Sequence, residues 1–155
     1  MFIPKHFEVT DMEEIKTFIE NNSFGVIVST HEGRQTATHL PLELRETGGE
    51  YYITGHFAKA NPQWKTLAEQ KEVLIIYQGP HAYVSSTWYE DENVSTWNYQ
   101  AVHAYGTPEI LDEAELKEEL KHLMHKYEED KENGAVWENT SDDTKNRSTA
   151  SSASG

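Results

Sequence analysis

Three short segments rich in β-branched and aromatic residues follow one another between residues 24 and 57, and the connections between them constrain the fold most. The segments are Phe24–Thr30, Gln35–Leu44 and Tyr51–Phe57. A polar turn through Glu32-Gly33 separates the first two, and residues 46–50 separate the second from the third. Connections this short allow hairpins but leave no room for a crossover helix. The sequence therefore predicts an antiparallel meander.

Further strand-like segments lie in the second half of the chain. Val73–Tyr77 is a continuous apolar run, which is typical of a strand buried on both faces. Gly79-Pro80 is predicted to break it, and extended structure resumes over Ala82–Ser86. A long strand is predicted from Thr96 to about Ile110. The sequence thus predicts about six antiparallel strands.

Three helix-start signals interrupt or flank these strands. They are Thr10 with Glu13, Asn61 with Pro62, and Asp112 with Glu115. The first predicts a helix over Asp11–Asn21, the second a short helix, and the third a last helix with an apolar stripe. The stripe comprises Leu116, Leu120, Leu123, Met124 and Tyr127. The predicted fold class is mainly β with flanking helices, arranged as a closed or split barrel.

Composition bounds the domain and the kinds of chemistry. Residues 1–137 are expected to form one domain, and the Ser/Thr-rich residues 138–155 a disordered tail. The chain has no cysteine, which excludes disulfides, thiolate nucleophiles and Cys-ligated metals. Its formal charge of −14 repels nucleic-acid backbones. No signal peptide or membrane-spanning run is evident, so a cytoplasmic protein without a membrane partner is expected.

The junction at residues 55–62 is the most suggestive local feature. A predicted strand ends directly at a helix N-terminus, where unpaired N–H groups and the helix dipole favour an anion. Lys59 adds a cation, Asn61 an amide and His56 an imidazole. The alternative is a well-capped helix in which His56 only packs, since every helix start shares this physics.

A second candidate segment is Thr38-His39-Leu40-Pro41 on the predicted second strand. Strand alternation places Thr38 and Leu40 on one face and His39 and Pro41 on the other. Because proline lacks an N–H, backbone groups near Pro41 cannot all join the ladder and could contact a ring ligand. An edge strand that ends at a proline explains the same residues.

Aromatic side chains flank an acidic loop at residues 90–95. They belong to Trp88-Tyr89 on one side and to Trp97-Asn98-Tyr99-Gln100 on the other. Amphipathic rings beside amides suit a planar heteroaromatic ligand or a subunit interface, and an ordinary core equally well. A metal site is not predicted, because His122 and His125 have no third ligand at a convincing spacing.

Several ordered segments together resemble the PaiB-type FMN-binding negative transcriptional regulators of bacteria. These segments span roughly residues 1–137 without gaps. They are Met1-Phe-Ile-Pro-Lys-His-Phe7, Ala37-Thr-His-Leu-Pro41, Tyr52-Ile-Thr-Gly-His-Phe-Ala58, Asn61-Pro-Gln-Trp64, Gln78-Gly-Pro-His-Ala-Tyr83, Ser86-Thr-Trp-Tyr89 and Thr96-Trp-Asn-Tyr-Gln-Ala-Val-His103. The combination is far more specific than any one segment.

The resemblance implies an FMN-binding split barrel that forms a homodimer, with each FMN in a cleft between subunits. The implied cofactor contacts are Thr38, His39, Leu40, Pro41, Gly55, His56, Ala58, Lys59, Asn61, Trp97 and Asn98. It also implies repression of sporulation and degradative-enzyme genes. Direct DNA binding is opposed by the acidic charge and by the absence of an evident helix-turn-helix.

Two other functions remain open at this point. A flavin-dependent oxidoreductase that uses NADH or NADPH needs little from the protein beyond binding and orientation, and His56 and His103 are then the best candidates for a proton relay. A flavin-free interaction domain would follow if the site were emptied by truncation. The family's chains continue past the helix that ends near Asp130, so we expect this chain to be truncated or frameshifted.

Overall fold

The computed structural model describes residues 1–145 as an open antiparallel sheet with flanking helices. The sheet has five strands in the order β3-β2-β1-β4-β5. The strands are β1 (Phe24–His31), β2 (Arg34–Thr47), β3 (Glu50–Gly55), β4 (Val73–Val84) and β5 (Thr96–Gly106). The predicted class, mainly β with flanking helices, is confirmed. The sequence allowed either a closed or a split barrel. The sheet is open, so a closed barrel does not form.

The sheet consists of two well-paired units with a short joint between them. In the first unit β1 pairs with β2 from Phe24↔Pro41 to His31↔Arg34, and β2 pairs with β3. In the second unit β4 pairs with β5 over most of its length. Between the units, β1 and β4 pair only at Val26↔Ile76, Ile27↔Ile75 and Val28↔Leu74. We call these three pairs the β1–β4 seam.

Strand β4 departs from the sequence-based prediction. Gly79-Pro80 does not end it; the strand continues to Val84 through an irregularity between Gln78 and His81. Past Ile76 the strand has no partner on its β1 side, so a residue without an N–H is tolerated there. This is why five strands form where about six were predicted.

Three helices flank the sheet: α1 (Met12–Asn21), α2 (Gln63–Leu67) and α3 (Glu113–Glu128). The N-cap of α1 is Asp11 rather than the predicted Thr10, because the Asp11 carboxylate accepts from the N–H groups of Glu13 and Glu14 at 2.8 and 3.2 Å. The predicted capping box of α3 is confirmed. Each cap satisfies N–H groups that the first turn leaves unpaired.

The hydrophobic core lies on one face of the sheet, which we call the core face. Helices α1 and α2 cover it with Ile19 and Leu67. The buried sheet residues of this cluster are Ile27, Leu40, Leu42, Val73, Ile75 and Tyr77. Burial of β4 alternates, because Leu74 and Ile76 on the opposite face are only half-buried; the prediction of burial on both faces was therefore wrong in part.

Helix α3 packs against the opposite face, which we call the second face. Glu43 and Arg45 alternate with core residues on β2 and so project towards α3. Lys126 forms an ion pair with Glu43, and Arg45 pairs with Glu119 at 3.0 Å. Polar contacts therefore attach α3 to the β2–β3 end of the sheet.

Residues after α3 return to pack on it. Trp137, in a 3-10 turn over Trp137–Asn139, is 7% exposed and joins Leu116 and Leu120 in a second small cluster. The predicted tail, residues 138–155, is described only as far as residue 145, and its remainder lies outside the described residues. Among residues 1–145, no helix is both long and apolar enough to cross a bilayer.

Candidate functional site

Thr38 and Asn61, predicted from two separate segments, meet at the start of α2. The Asn61 amide Nδ2 donates to Thr38 Oγ1 at 2.9 Å. Asn61 Oδ1 accepts from the backbone N–H of Gln63 at 2.9 Å, so the asparagine side chain binds the start of α2 as predicted, although the helix begins at Gln63 and not at Pro62. Thr38 Oγ1 in turn donates to Gln63 Oε1 at 2.5 Å. The structure therefore brings these two predicted residues into one hydrogen-bonded cluster on the core face.

The turn that precedes α2 holds Ala58 and Lys59, both exposed. The Asn61 N–H donates to Ala58 O at 2.8 Å and closes the turn, while the Trp64 indole N–H donates to Lys59 O at 3.2 Å. Helix α2 has only five residues, so its dipole is that of little more than one turn. Any attraction for an anion here depends chiefly on the Lys59 charge.

Pro41, Gly55 and His56 lie on the other side of β2 and β3, beneath α3. Together with Glu43, Leu116 and other α3 residues they line a cavity with about 10 Å³ of free space. That is room for about one water molecule. Burial lowers the pKa of the His56 imidazole below its usual value, so the ring is neutral at physiological pH.

The remaining residues of the Thr38–Pro41 segment point in opposite directions, as strand alternation predicted. Leu40 is 5% exposed and belongs to the core. His39 is exposed on the second face, where its ring stacks near Phe24 at 6.3 Å between centroids. His103 lies in the same row across the sheet, two strands beyond Val26. Burial and the N-terminal ammonium lower the pKa of His103.

Trp97 and Asn98 lie at the start of β5, on a two-stranded projection of the sheet. Beyond the irregularity in β4, residues 81–84 pair with residues 96–99 and with no other strand. We call this projection the arm. Its cross-strand pairs His81↔Tyr99 and Tyr83↔Trp97 place four rings on one face.

The rings of the arm are open to solvent. Tyr83, Trp97 and Tyr99 are 48%, 60% and 59% exposed. The Trp97 ring lies 5.8 Å from the Tyr83 ring and 6.2 Å from the His81 ring, as distances between centroids. Asn98 is also exposed, on the opposite face of the arm, where it pairs with Ala82.

The predicted residues therefore lie in several separate places rather than in one pocket of a single chain. Their chemistry fits a phosphorylated aromatic ligand, since Lys59 supplies a cation for a phosphate and the arm supplies ring faces for stacking. Another cavity, of about 190 Å³, is lined by Lys16, Glu20, Leu44, Arg45, Glu46 and Tyr51 and contains none of the predicted residues. Ligand sites usually enclose about 300 Å³ or more.

Two contributors were not singled out from residue types. Gln63 is 3% exposed and connects the Thr38–Asn61 cluster to β1, and its partners lie 25 or more residues away in the chain. Tyr83 joins the aromatic face of the arm only through strand register. Spacing along the chain could not reveal either arrangement, because both depend on pairing between distant segments.

The amino-acid sequence matches the family described as "Putative FMN-binding domain" over residues 1–151. This chain belongs to that FMN-binding family. The family match covers almost the whole chain. It confirms FMN, the cofactor expected from the resemblance.

Two curated relatives extend the comparison. The chain is 52% identical over 141 residues to "Protease synthase and sporulation protein PAI 2" of Bacillus subtilis (strain 168), covering 91% of this chain and 68% of that protein. It is 28% identical over 135 residues to an uncharacterized protein of Saccharomyces cerevisiae, covering 72% of this chain and 79% of that one. The resemblance to PaiB-type proteins drawn from the motifs is thus confirmed.

Among solved structures, the FMN-binding domain is similar to the FAD and heme binding protein from Mycobacterium smegmatis. The TM-score is 0.62 at 15% identity, and the match covers 84% of this chain and 62% of that chain. At this identity the likeness concerns the fold alone, and it agrees with the open, split-barrel-like sheet.

Proposed function

We propose that two copies of this chain form a cytoplasmic homodimer that binds FMN between them, and that the dimer regulates transcription. In this proposal FMN serves as a ligand or redox sensor of a repressor of sporulation and degradative-enzyme genes. Membership of the FMN-binding family and the 52% identity to the Bacillus subtilis sporulation protein support it. The structural observation that carries it is the solvent-exposed aromatic arm.

Cavity size favours a shared site. FMN is too large for the space of about 10 Å³ beneath α3, and the larger cavity near Lys16 lies away from every predicted contact. A flavin on the open surface of one chain would leave much of its ring in water. Binding sites usually bury most of their ligand, so a second surface is expected to cover it.

The arm can supply that second surface. A two-stranded ribbon with both faces in water is only marginally stable by itself. Exposed rings such as Trp97 and Tyr99 in one place mark an interaction site more often than a solvated surface. We infer that the arm of one copy packs beside the Thr38–Asn61 cluster of the other, so that Trp97 and Asn98 reach the flavin across the interface.

Within each copy the contacts divide by chemistry. Lys59, with the turn from Gly55 to Asn61, suits the phosphate of FMN, because an exposed ammonium attracts a dianion even in a chain of negative net charge. Thr38 contacts that turn through Asn61, and the Thr38–Pro41 segment is assigned to the flavin or ribityl chain. His56 remains neutral and can donate or accept one hydrogen bond.

The negative net charge of the chain bears on how the proposed regulator would act. With a formal charge of −14 on each chain, the proposed dimer is repelled by DNA unless cations are concentrated in one patch. Regulation through the state of the flavin or through a protein partner is therefore more consistent with the surface than tight operator binding. A flavin-dependent oxidoreductase is the competing function, and FMN-dependent oxidation of NADH or NADPH by the purified protein would favour it.

The first test is the visible absorption spectrum of the purified chain, with flavin released by heat and identified chromatographically. A yellow protein that releases FMN supports the proposal, and a colourless protein that does not take up added FMN overturns it. Lys59→Ala is then expected to weaken FMN binding roughly tenfold, the scale of one charge-assisted contact. Lys65→Ala, which removes an exposed lysine from α2, is the matched control and should bind as the wild type does.

A further inference from the structure

Gln63 is a buried amide whose hydrogen bonds join three segments of the chain. Its Nε2 lies 3.3 Å from Ile27 O, 3.0 Å from Ser29 Oγ and 3.1 Å from Thr36 O, all on β1 and β2. Its Oε1 accepts from Thr38, and its backbone N–H donates to Asn61. Every polar atom of the side chain therefore has a partner, although the residue is 3% exposed.

A buried glutamine is not needed to stabilise a helix start. Burial of an amide costs free energy that its hydrogen bonds roughly offset, so the amide adds little net stability compared with a core in which its partners are apolar as well. What the amide adds is a fixed geometry. Thr38, Asn61 and Gln63 form a closed triangle of hydrogen bonds, so the rotamers of Thr38 and Asn61 are set together.

We propose that Gln63 is a positioning residue of the FMN site, which holds Thr38 of β2 and Asn61 of the turn before α2 in the arrangement that binds the cofactor. The inference rests on the proposed assignment of Thr38 and Asn61 to FMN. Gln63 is itself too deeply buried to touch the flavin. It acts by aligning two segments that are 23 residues apart in the chain.

The primary test compares Gln63→Leu with Gln70→Leu in the full chain. Gln70 is the matched control. It lies just beyond the C-terminal end of α2, and its amide also donates to a backbone carbonyl, Thr66 O. FMN and riboflavin affinities are measured by quenching of flavin fluorescence, at a temperature well below each variant's unfolding midpoint. Gln63→Leu should weaken FMN binding by about tenfold or more, as loss of an outer-shell partner commonly does. Gln70→Leu should change it little.

The comparison with riboflavin separates positioning from loss of folding. Asn61 and its turn are assigned to the phosphate end, so Gln63→Leu should reduce the preference for FMN over riboflavin, whereas partial unfolding would weaken both equally. A lower unfolding midpoint with unchanged FMN affinity and unchanged preference would overturn the inference. Failure of the wild-type chain to bind FMN would instead overturn the proposed site.

Gln63→Glu keeps the size of the side chain and covers the case in which the leucine variant does not fold. An ionised carboxylate there cannot donate to Ile27 O, Ser29 Oγ or Thr36 O, but the protonated acid regains one donor. The FMN affinity of Gln63→Glu relative to wild type should therefore recover as the pH falls from 8 towards about 5.5. A ratio that stays constant with pH would show that the amide donor does not matter for binding.

Discussion

At the scale of single residues, His56 shows how burial at the end of β3 becomes a dependence of stability on pH. Burial lowers its folded-state pKa, and the pKa values of His103 and His122 are lowered in the same direction. The unfolded chain therefore binds more protons than the folded one once the pH falls below the unfolded value of about 6.5. Stability is fully present above that value and decreases as the pH drops towards the folded-state pKa values.

We predict that His56→Gln reduces this loss of stability. The free energy of unfolding is measured by urea titration at pH 7.5 and pH 5.5. It should fall less in the variant than in the wild type, because glutamine has no proton to bind on unfolding whereas His56 does. His31→Gln, which replaces an exposed histidine at the end of β1, is the control and should retain the wild-type slope. An identical slope for all three proteins would contradict the prediction.

Residue-level features could be predicted where both partners lie close in the chain. The capping box of Asp112 and Glu115 was correct for that reason. The cap of α1 was wrong by one position, because Thr10 and Asp11 both suit an N-cap and only the carboxylate is used. The role of Gln63 could not be predicted, because the partners of its side chain lie on β1 and β2 and no local spacing encodes them.

At the scale of elements, the attachment of α3 depends on polar groups that are mostly removed from water. Glu43 is 7% exposed and accepts from Lys126 and from the Tyr127 hydroxyl. Removing the lysine leaves a buried carboxylate with weaker compensation.

We predict that Lys126→Met destabilises the chain by about 2–3 kcal/mol, since an uncompensated buried charge remains beneath α3. Lys121→Met breaks an exposed pair with Glu118 on the same helix and should cost less than about 1 kcal/mol. Chemical denaturation monitored by tryptophan fluorescence measures both. Equal effects would mean that burial of Glu43 does not decide the outcome.

Strand β4 and α1 meet at a glycine that leaves no room for a side chain. A Cβ at Gly79 would lie 2.6 Å from Phe18 Cε2 of α1, whereas one at Gly106 on β5 would meet nothing within 4 Å. Gly79→Ala is therefore expected to lower stability by about 1–3 kcal/mol, because the Phe18 ring must move within a packed core. Gly106→Ala is the control and should unfold at nearly the wild-type midpoint. Thermal unfolding followed by circular dichroism compares them.

The break predicted at Gly79-Pro80 shows which element-level features escape sequence patterns. Glycine and proline normally end a strand, but here β4 has already passed beyond its pairing with β1. Whether a neighbouring strand is present at a given position is a property of the sheet, and the sequence of β4 alone does not contain it.

At the scale of the whole molecule, the proposed packing of the arm against a second copy links oligomeric state to FMN binding. We predict that replacing Tyr83 and Trp97 together by serine converts a dimer into a monomer and releases FMN at the same time, because both depend on the same exposed rings. Sedimentation velocity with detection at the flavin absorption band measures the two properties in one experiment.

Tyr52→Ser removes a comparably exposed ring from β3, away from the arm, and should leave the dimer and its FMN intact. A double variant that stays dimeric and yellow would show that the arm is not the interface. The fold class and the family could be predicted from the sequence, because ordered motifs carry them. The division of the predicted contacts among separate parts of one chain could not, because it depends on how distant segments pair in the sheet.

The β1–β4 seam has a consequence for how the molecule opens. In the strand ladder, only three residue pairs join the β1–β2–β3 unit to the β4–β5 unit, whereas β1 and β2 are paired along their shared length. Amide hydrogens at the seam should therefore exchange with deuterium through a partial opening that leaves the β1–β2 hairpin protected. Val26 and Ile76 are also 50 residues apart, so closing the seam costs more chain entropy than forming either hairpin. The seam is therefore expected to form later in folding than either hairpin, although both units contribute to one hydrophobic core.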